Sequence, residues 1–273
     1  MYQSGMLTNK GNFSMNTELA QILEFAQQGS LNPDTQYPVT VELASGDRIK
    51  IRCIQTGCRE ELEAVMELEK AAWGTELAFP DDYIKRDYTM FPGLQVGAFC
   101  EKTGALVGVV SAMRLSPDPA EDVDEFVAMA GTKAWEYIYA HNRDPQGIVC
   151  EGSDLAVAPE WQKKGVASVL LPFMLRQVAK TDGITRFTWQ SRTPGYAKWA
   201  AENGEESGPE SHGIYVNKVL AGELTDPVLS VYAGFVNAGN IDMINPNSPW
   251  LHDEASGGFG ARFDATKFLK EIK

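Results

Sequence analysis

Gln162-Lys163-Lys164-Gly165-Val166-Ala167 is the stretch of this 273-residue chain whose residue types and spacing best suit chemistry. It follows an apolar run, GIVCEGSDLAVAP, that reads as a strand. It opens another run, Val166 to Leu175, that reads as a helix ending near Thr181-Asp182-Gly183. A helix beginning there presents unbonded N–H groups and the positive end of its dipole. Small residues let a phosphate approach the backbone, and Lys163 and Lys164 add charge. The spacing is neither a Walker loop nor GxGxxG, so those two nucleotide-binding modes are excluded.

Other chemistry is poorly supported. Cys53, Cys58, Cys100 and Cys150 form no C-x-x-C pair, and Cys53 and Cys58 are too far apart for a zinc knuckle. His141, His212 and His252 are isolated. No metal site is expected on these spacings. The acidic run SPDPAEDVDEF lacks the Gly and Glu positions of a calcium loop and reads as a solvated linker. Trp73, Trp135, Trp161 and Trp189 read as packing residues.

The elements that must position the Gln162 loop are strands interleaved with helices. VTVELAS and RIKIRCI alternate around Ser45-Gly46-Asp47, predicting a β-hairpin. From Glu60 the period becomes helical, with Leu62, Val65, Met66, Leu68 and the stretch Glu69 to Trp73 in one helix. A second helix is expected over Asp81 to Met90. LQVGAFCE and ALVGVVSAMRL form a strand pair through Lys102-Thr103-Gly104, and a helix follows near Thr132 to His141. After the Gly165 helix comes the strand ITRFTWQ. Helical patches at Ala197–Glu202, Ile214–Gly222 and Pro227–Val236 then alternate with weak strands at Ile241–Asn245 and Phe259–Phe263. Asn16 could cap a short helix carrying Leu19, Ile22, Leu23 and Phe25. The fold class is α/β (α+β), on one mixed sheet.

Composition sets outer limits. With 24 basic and 37 acidic residues the net charge is −13, and 44% of residues are apolar. A chain of this kind folds without staples. Its acidity argues against a nucleic-acid partner and leaves room for a cationic or amine substrate. The longest apolar run falls well short of a bilayer span, so no membrane partner is expected. The first residues lack an apolar signal core, and the thiols read as reduced, so a cytoplasmic protein is expected. Met1, Met6 and Met15 are alternative starts.

LAVAPEWQKKGVASVLL resembles the acyl-CoA-binding motif of the GNAT family of N-acetyltransferases, whose core pattern is Gln/Arg-x-x-Gly-x-Gly/Ala. The order of elements over about residues 48–245 agrees. Ser191-Arg192-Thr193-Pro194-Gly195-Tyr196 and YVNKVLAGELTDPVLSVYAGF resemble a GNAT subgroup, some members of which are fused to nitrilase-like amidases. The resemblance implies a mostly antiparallel central sheet flanked by helices. It divides the chain into an N-terminal extension over 1–37 and one acyltransferase domain over 38–273, with insertions near 116–147 and 203–225. It also implies transfer of acetyl from acetyl-CoA, without a metal, to a small amine that attacks the thioester directly. A second copy of the chain, as a homodimer, is a further partner to consider.

The resemblance assigns residues as well. The thioester would lie between the strands GIVCEGSDLAVAP and ITRFTWQ. Backbone groups of the Leu155-Ala156-Val157 stretch, chiefly Leu155 and Val157, would hold the pantetheine arm. The pyrophosphate would rest on the N–H groups of Gln162, Lys163, Lys164, Gly165, Val166 and Ala167, with Ser168 behind them. Glu151 stands where relatives carry a basic glutamate and is the expected general base. Asp154, expected on the opposite face of the strand, is the alternative. The general acid is less well marked: relatives carry a tyrosine four residues before a Gly-Phe pair, where this chain has Ser230. Tyr196 is the candidate taken, and Tyr232 lies two positions off. Arg192 is a candidate for phosphate or substrate carboxylate. Two rival readings share the fold: decarboxylation of an acyl-CoA or acyl transfer to a carrier protein, and binding of acyl-CoA without turnover.

Overall fold

The computed structural model describes residues 39–117, 142–249 and 253–272. The expected helices near Leu19 to Phe25 and Thr132 to His141 lie outside them. Among the described residues, eight strands form one sheet in the order β1-β2-β3-β4-β5-β6-β8-β7. All neighbours are antiparallel except β5 and β6. This is the GNAT fold, as the order of elements implied.

The alternating first segments form β1 (Val39–Glu42) and β2 (Arg48–Cys53), and Ile49, Ile51 and Cys53 of β2 point into the core. α1 (Arg59–Trp73) and α2 (Asp81–Met90) follow, then β3 (Gln95–Cys100) and β4 (Leu106–Leu115). Neighbouring β4 residues show how the layers sort. Val109 packs with Val65, Leu68 and Ile84 of α1 and α2, while Val110 packs in the cluster that holds α3 (Val166–Lys180). α3 is apolar almost all round, which suits a helix buried against the sheet. It is the crossover between β5 (Val149–Val157) and β6 (Arg186–Arg192), the parallel pair.

The C-terminal part adds α4 (Tyr196–Asn203), α5 (Pro209–Leu220), α6 (Ser230–Asn237), β7 (Asp242–Pro249), β8 (Phe259–Asp264) and α7 (Thr266–Ile272). α7 is a described helix that the sequence pattern did not announce. The expected insertion after residue 203 contains α5. α6 lies on the α3 side of the sheet, where Tyr232 packs on Trp189 and Phe263 with ring centroids 5.7 and 5.1 Å away.

Candidate active site

β5 and β6 pair only from Val149↔Arg186 to Gly152↔Trp189. Beyond that point β5 stays with β4 as far as Gly108↔Val157, and β6 stays with β8 as far as Arg192↔Gly260. The two strands therefore part like a V, and the β6-side edge of β5 from Ser153 onward has no strand against it. Unpaired strand edges can hydrogen-bond an extended partner. At the apex a Cβ on Gly152 would stand 2.9 Å from the Trp189 Cβ, so the close approach there requires glycine.

A cleft of about 550 Å³, mouth included, occupies the V. Leu171, Met174, Val228 and Tyr232 line it on the α3 side, and Trp73, Ser111 and Asp154 on the α1 side. A smaller cavity against α1 and α2 is lined by Glu69, Tyr83 and Tyr88 and shares Ser111, Ser153 and Asp154 with the cleft. The two cavities meet at those three residues. One site thus reaches both faces of the sheet.

On the α3 side, the chain leaves β5 through a short 3-10 turn and enters α3 at Gly165. Lys163 and Gly165 adopt positive φ, 62° and 92°. Left-handed residues in such a turn gather N–H groups into an anion-binding concavity. No side chain caps the helix, and a Cβ on Gly165 would meet nothing within 4 Å. The helix start is therefore open to an anion. Lys163 is exposed. Lys164, expected to serve a phosphate, pairs instead with Asp47 in the first hairpin turn at 3.1 Å and lies 4.6 Å from the Trp161 ring. Gln162 donates its side-chain amide to the Val157 carbonyl (3.1 Å), using the group expected to hold a pantetheine amide. Leu155 lines the cleft, whereas Ala156 packs toward α1.

The α1 side holds carboxyls. Asp154 is partly accessible and accepts a hydrogen bond from Trp73 Nε1 at 3.1 Å. Burial raises its pKa, while hydrogen bonds from Glu69, Trp73 and the Leu155 N–H oppose the rise. Glu69 projects from α1 against Asp154 and is 2% exposed. Burial, then the Asp154 charge, pushes its pKa well above the carboxylate range. Tyr88 shares a hydrogen bond with Ser111 (2.9 Å). Burial raises the Tyr232 pKa, and its hydroxyl meets Ser191. Arg192 is the one cation among the described residues lining either cavity. It is held by Asp253 through bonds of 2.6 and 2.8 Å, and it lies 5.2 Å from the Trp73 ring.

Glu151 and Tyr196, the expected base and acid, are absent from the described lining of both cavities. Glu151 is 2% exposed and makes a bidentate pair with Arg262, both bonds at 3.0 Å, with Thr188 donating to the same carboxylate. The Tyr196 ring is fully buried; its hydroxyl accepts the Gly208 N–H (2.9 Å) and shares a hydrogen bond with Ser211 (2.7 Å). The expected opposition of Glu151 and Asp154 also fails. β4 pairs Met113 with Glu151 and Ser111 with Asp154, so Ser153 is the extra residue of a bulge. Partners two apart on β4 share a face, so both carboxylates face the α1 side.

Glu69 was missed, although the sequence carries its signal. Leu62, Val65, Met66 and Trp73 form the apolar stripe of α1, and Glu69 falls on that stripe. An ionisable group on a buried stripe needs a partner or a proton.

The sequence profile of the GNAT acetyltransferase family matches residues 62–200, about half of the chain. The chain belongs to that family of acyltransferases. Among solved structures, it is similar to the GNAT-like decarboxylase GphF in complex with isobutyryl-CoA. The two are 21% identical, with 79% of this chain and 97% of that one covered and a TM-score of 0.59. It is also similar to the loading GNATL domain of CurA from Lyngbya majuscula, at 17% identity, 80% and 98% coverage and a TM-score of 0.58. At these identities the likeness is one of fold. No curated protein matches the chain. Nothing in these comparisons bears on the amidase-linked subgroup. Among the described residues no helix is long and apolar enough to cross a membrane.

Proposed function

We propose that the protein transfers an acyl group, acetyl in the simplest case, from acyl-CoA to a small amine by direct attack. The observation that carries this reading is the open V, with an anion-ready helix start on one side and a partly accessible carboxylate on the other. The pantetheine arm lies along the free edge of β5 and the pyrophosphate on the turn from Gln162 to Ala167. The acceptor enters from the α1 and α2 side.

In this scheme Asp154, rather than Glu151, takes the ammonium proton. The freed nitrogen attacks the thioester carbon, the C–S bond breaks, Tyr232 gives its proton to the departing thiolate, and the nitrogen's second proton passes to the Tyr232 oxygen as the amide forms. A base whose pKa is raised toward neutrality accepts a proton more readily than an ordinary carboxylate. Glu151 is matched by Arg262 and has no comparable access. An acyl-CoA carrying its own carboxylate, as decarboxylation requires, would meet Asp154 with no free cation among the described residues lining the cleft, because Arg192 is held by Asp253. The acceptor is therefore cationic or neutral. A cytoplasmic setting belongs to the same proposal.

The test is thiol release from acetyl-CoA in the presence of a panel of primary amines, with carbon dioxide release from malonyl-CoA as the control. Amine-dependent thiol release with a matching N-acetyl product supports the reading. Carbon dioxide release without amine dependence overturns it.

A further inference from the structure

We propose that Glu69 and Asp154 share one proton at neutral pH, and that Glu69 is the positioning residue that keeps Asp154 ionised and fixed in the cleft. Its use in turnover rests on the acyltransferase reading; its existence does not.

Geometry carries the proposal. Glu69 Oε2 is buried and lacks an ordinary hydrogen-bond donor, yet it sits in the wall of the smaller cavity beside the Asp154 carboxyl. Two carboxyls in contact cannot both be charged without a cation between them. None is available among the described residues. Arg192 is held by Asp253, and Arg143 by Asp87 at 2.7 Å. The other titratable groups facing the pair are Asp87, Tyr83 and Tyr88 from α2 and Tyr232 from α6, none of them a cation.

The proton resides on Glu69, the more deeply buried partner, and its O–H is the donor that Asp154 accepts. Asp154 also accepts the Trp73 N–H at 3.1 Å, so its carboxylate is held from two directions. Burial raises both groups, and the hydrogen bond from Glu69 draws Asp154 back down. When an acceptor ammonium gives up its proton, Asp154 takes it and the pair becomes neutral with two protons. One returns to water through the cavity against α2 before the next turnover.

Proton linkage supplies a test that needs no turnover. A carboxyl whose folded pKa lies above its unfolded one contributes most stability at low pH and loses it as pH rises past the unfolded value. Glu69→Gln keeps a donor to Asp154 but removes that slope. The melting temperature of the variant minus that of the parent should therefore climb by several degrees between about pH 5 and about pH 9. A flat difference overturns the proposal. Should the variant not fold, infrared spectra of the parent at about pH 8 should show the carbonyl band of a protonated carboxyl; its absence also overturns it.

Kinetics then test the positioning role. Glu69→Leu should move the acidic limb of kcat/KM upward by about one pH unit, because Asp154 loses the bond that lowers its pKa. Glu69→Gln should stay nearer the parent and be at least about tenfold more active than Glu69→Leu. An unmoved limb in Glu69→Leu overturns the role. If the parent transfers no acyl group to any amine while the linkage signal persists, the acyltransferase reading falls and the shared proton stands.

Discussion

Glu151 and Asp154 lie three residues apart on β5, on the same face of the sheet, and the protein neutralises them differently. Glu151 meets a guanidinium in a closed, bidentate pair. Asp154 meets a second carboxyl and an indole N–H at the mouth of two cavities. A buried charge answered by an opposite charge has little left to react with, because its oxygens are fully used. A charge answered by a shared proton remains able to accept another. The contrast separates the carboxylate that holds β5, β6 and β8 together from the one proposed to do chemistry.

Breaking the first half of that contrast should give the largest effect on stability. Arg262→Leu leaves Glu151 buried without its counter-ion and should cost about 3–5 kcal/mol, measured by denaturant unfolding. Replacing both partners by apolar residues of similar volume should recover most of that loss. A single substitution costing less than about 1 kcal/mol would mean that Glu151 is not anchored as the geometry indicates.

The donor side should fail independently of both carboxylates. Gly165→Glu places a charged side chain in the open space at the start of α3, at a backbone φ of 92° that disfavours any Cβ. Affinity for CoA should fall by more than about tenfold in calorimetry, since the added carboxylate repels the pyrophosphate. Unchanged affinity in a folded variant would move the cofactor elsewhere.

A smaller effect sharpens the Asp154 half. Trp73→Phe keeps an aromatic ring, though a smaller one, and removes the N–H that Asp154 accepts. Losing that donor raises the Asp154 pKa, so the acidic limb of the rate profile should shift upward by less than about one unit. A downward shift would show that the indole opposes ionisation.

Much of the fold was legible because its patterns are local. The alternation of RIKIRC, the helical stripe from Leu62 and the apolar helix after Gly165 each record one buried face, and each forms the expected element. The helix start at Gly165 was legible for the same reason. The carboxylates were not, because their roles depend on distant partners. Nothing near Glu151 in the chain points to Arg262, 111 residues away. The bulge at Ser153, which brings Asp154 onto the face of Glu151, leaves no periodic trace in GSDLAV. Tyr196 sat in a distinctive motif, yet its hydroxyl is tied to the Gly208 turn. Motif distinctiveness there marks packing around the end of β6.

The most direct test of the account compares Asp154→Asn with Glu151→Gln for amine-dependent thiol release at about pH 8, each rate normalised to folded protein. Asp154→Asn should lose about 10²–10⁴ in turnover, the usual cost of removing a positioned base, while its melting temperature changes little. Glu151→Gln should lose stability, with turnover per folded molecule within about threefold of the parent. The opposite pattern, with Glu151→Gln inactive though folded and Asp154→Asn fully active, would contradict the account and return the base to Glu151.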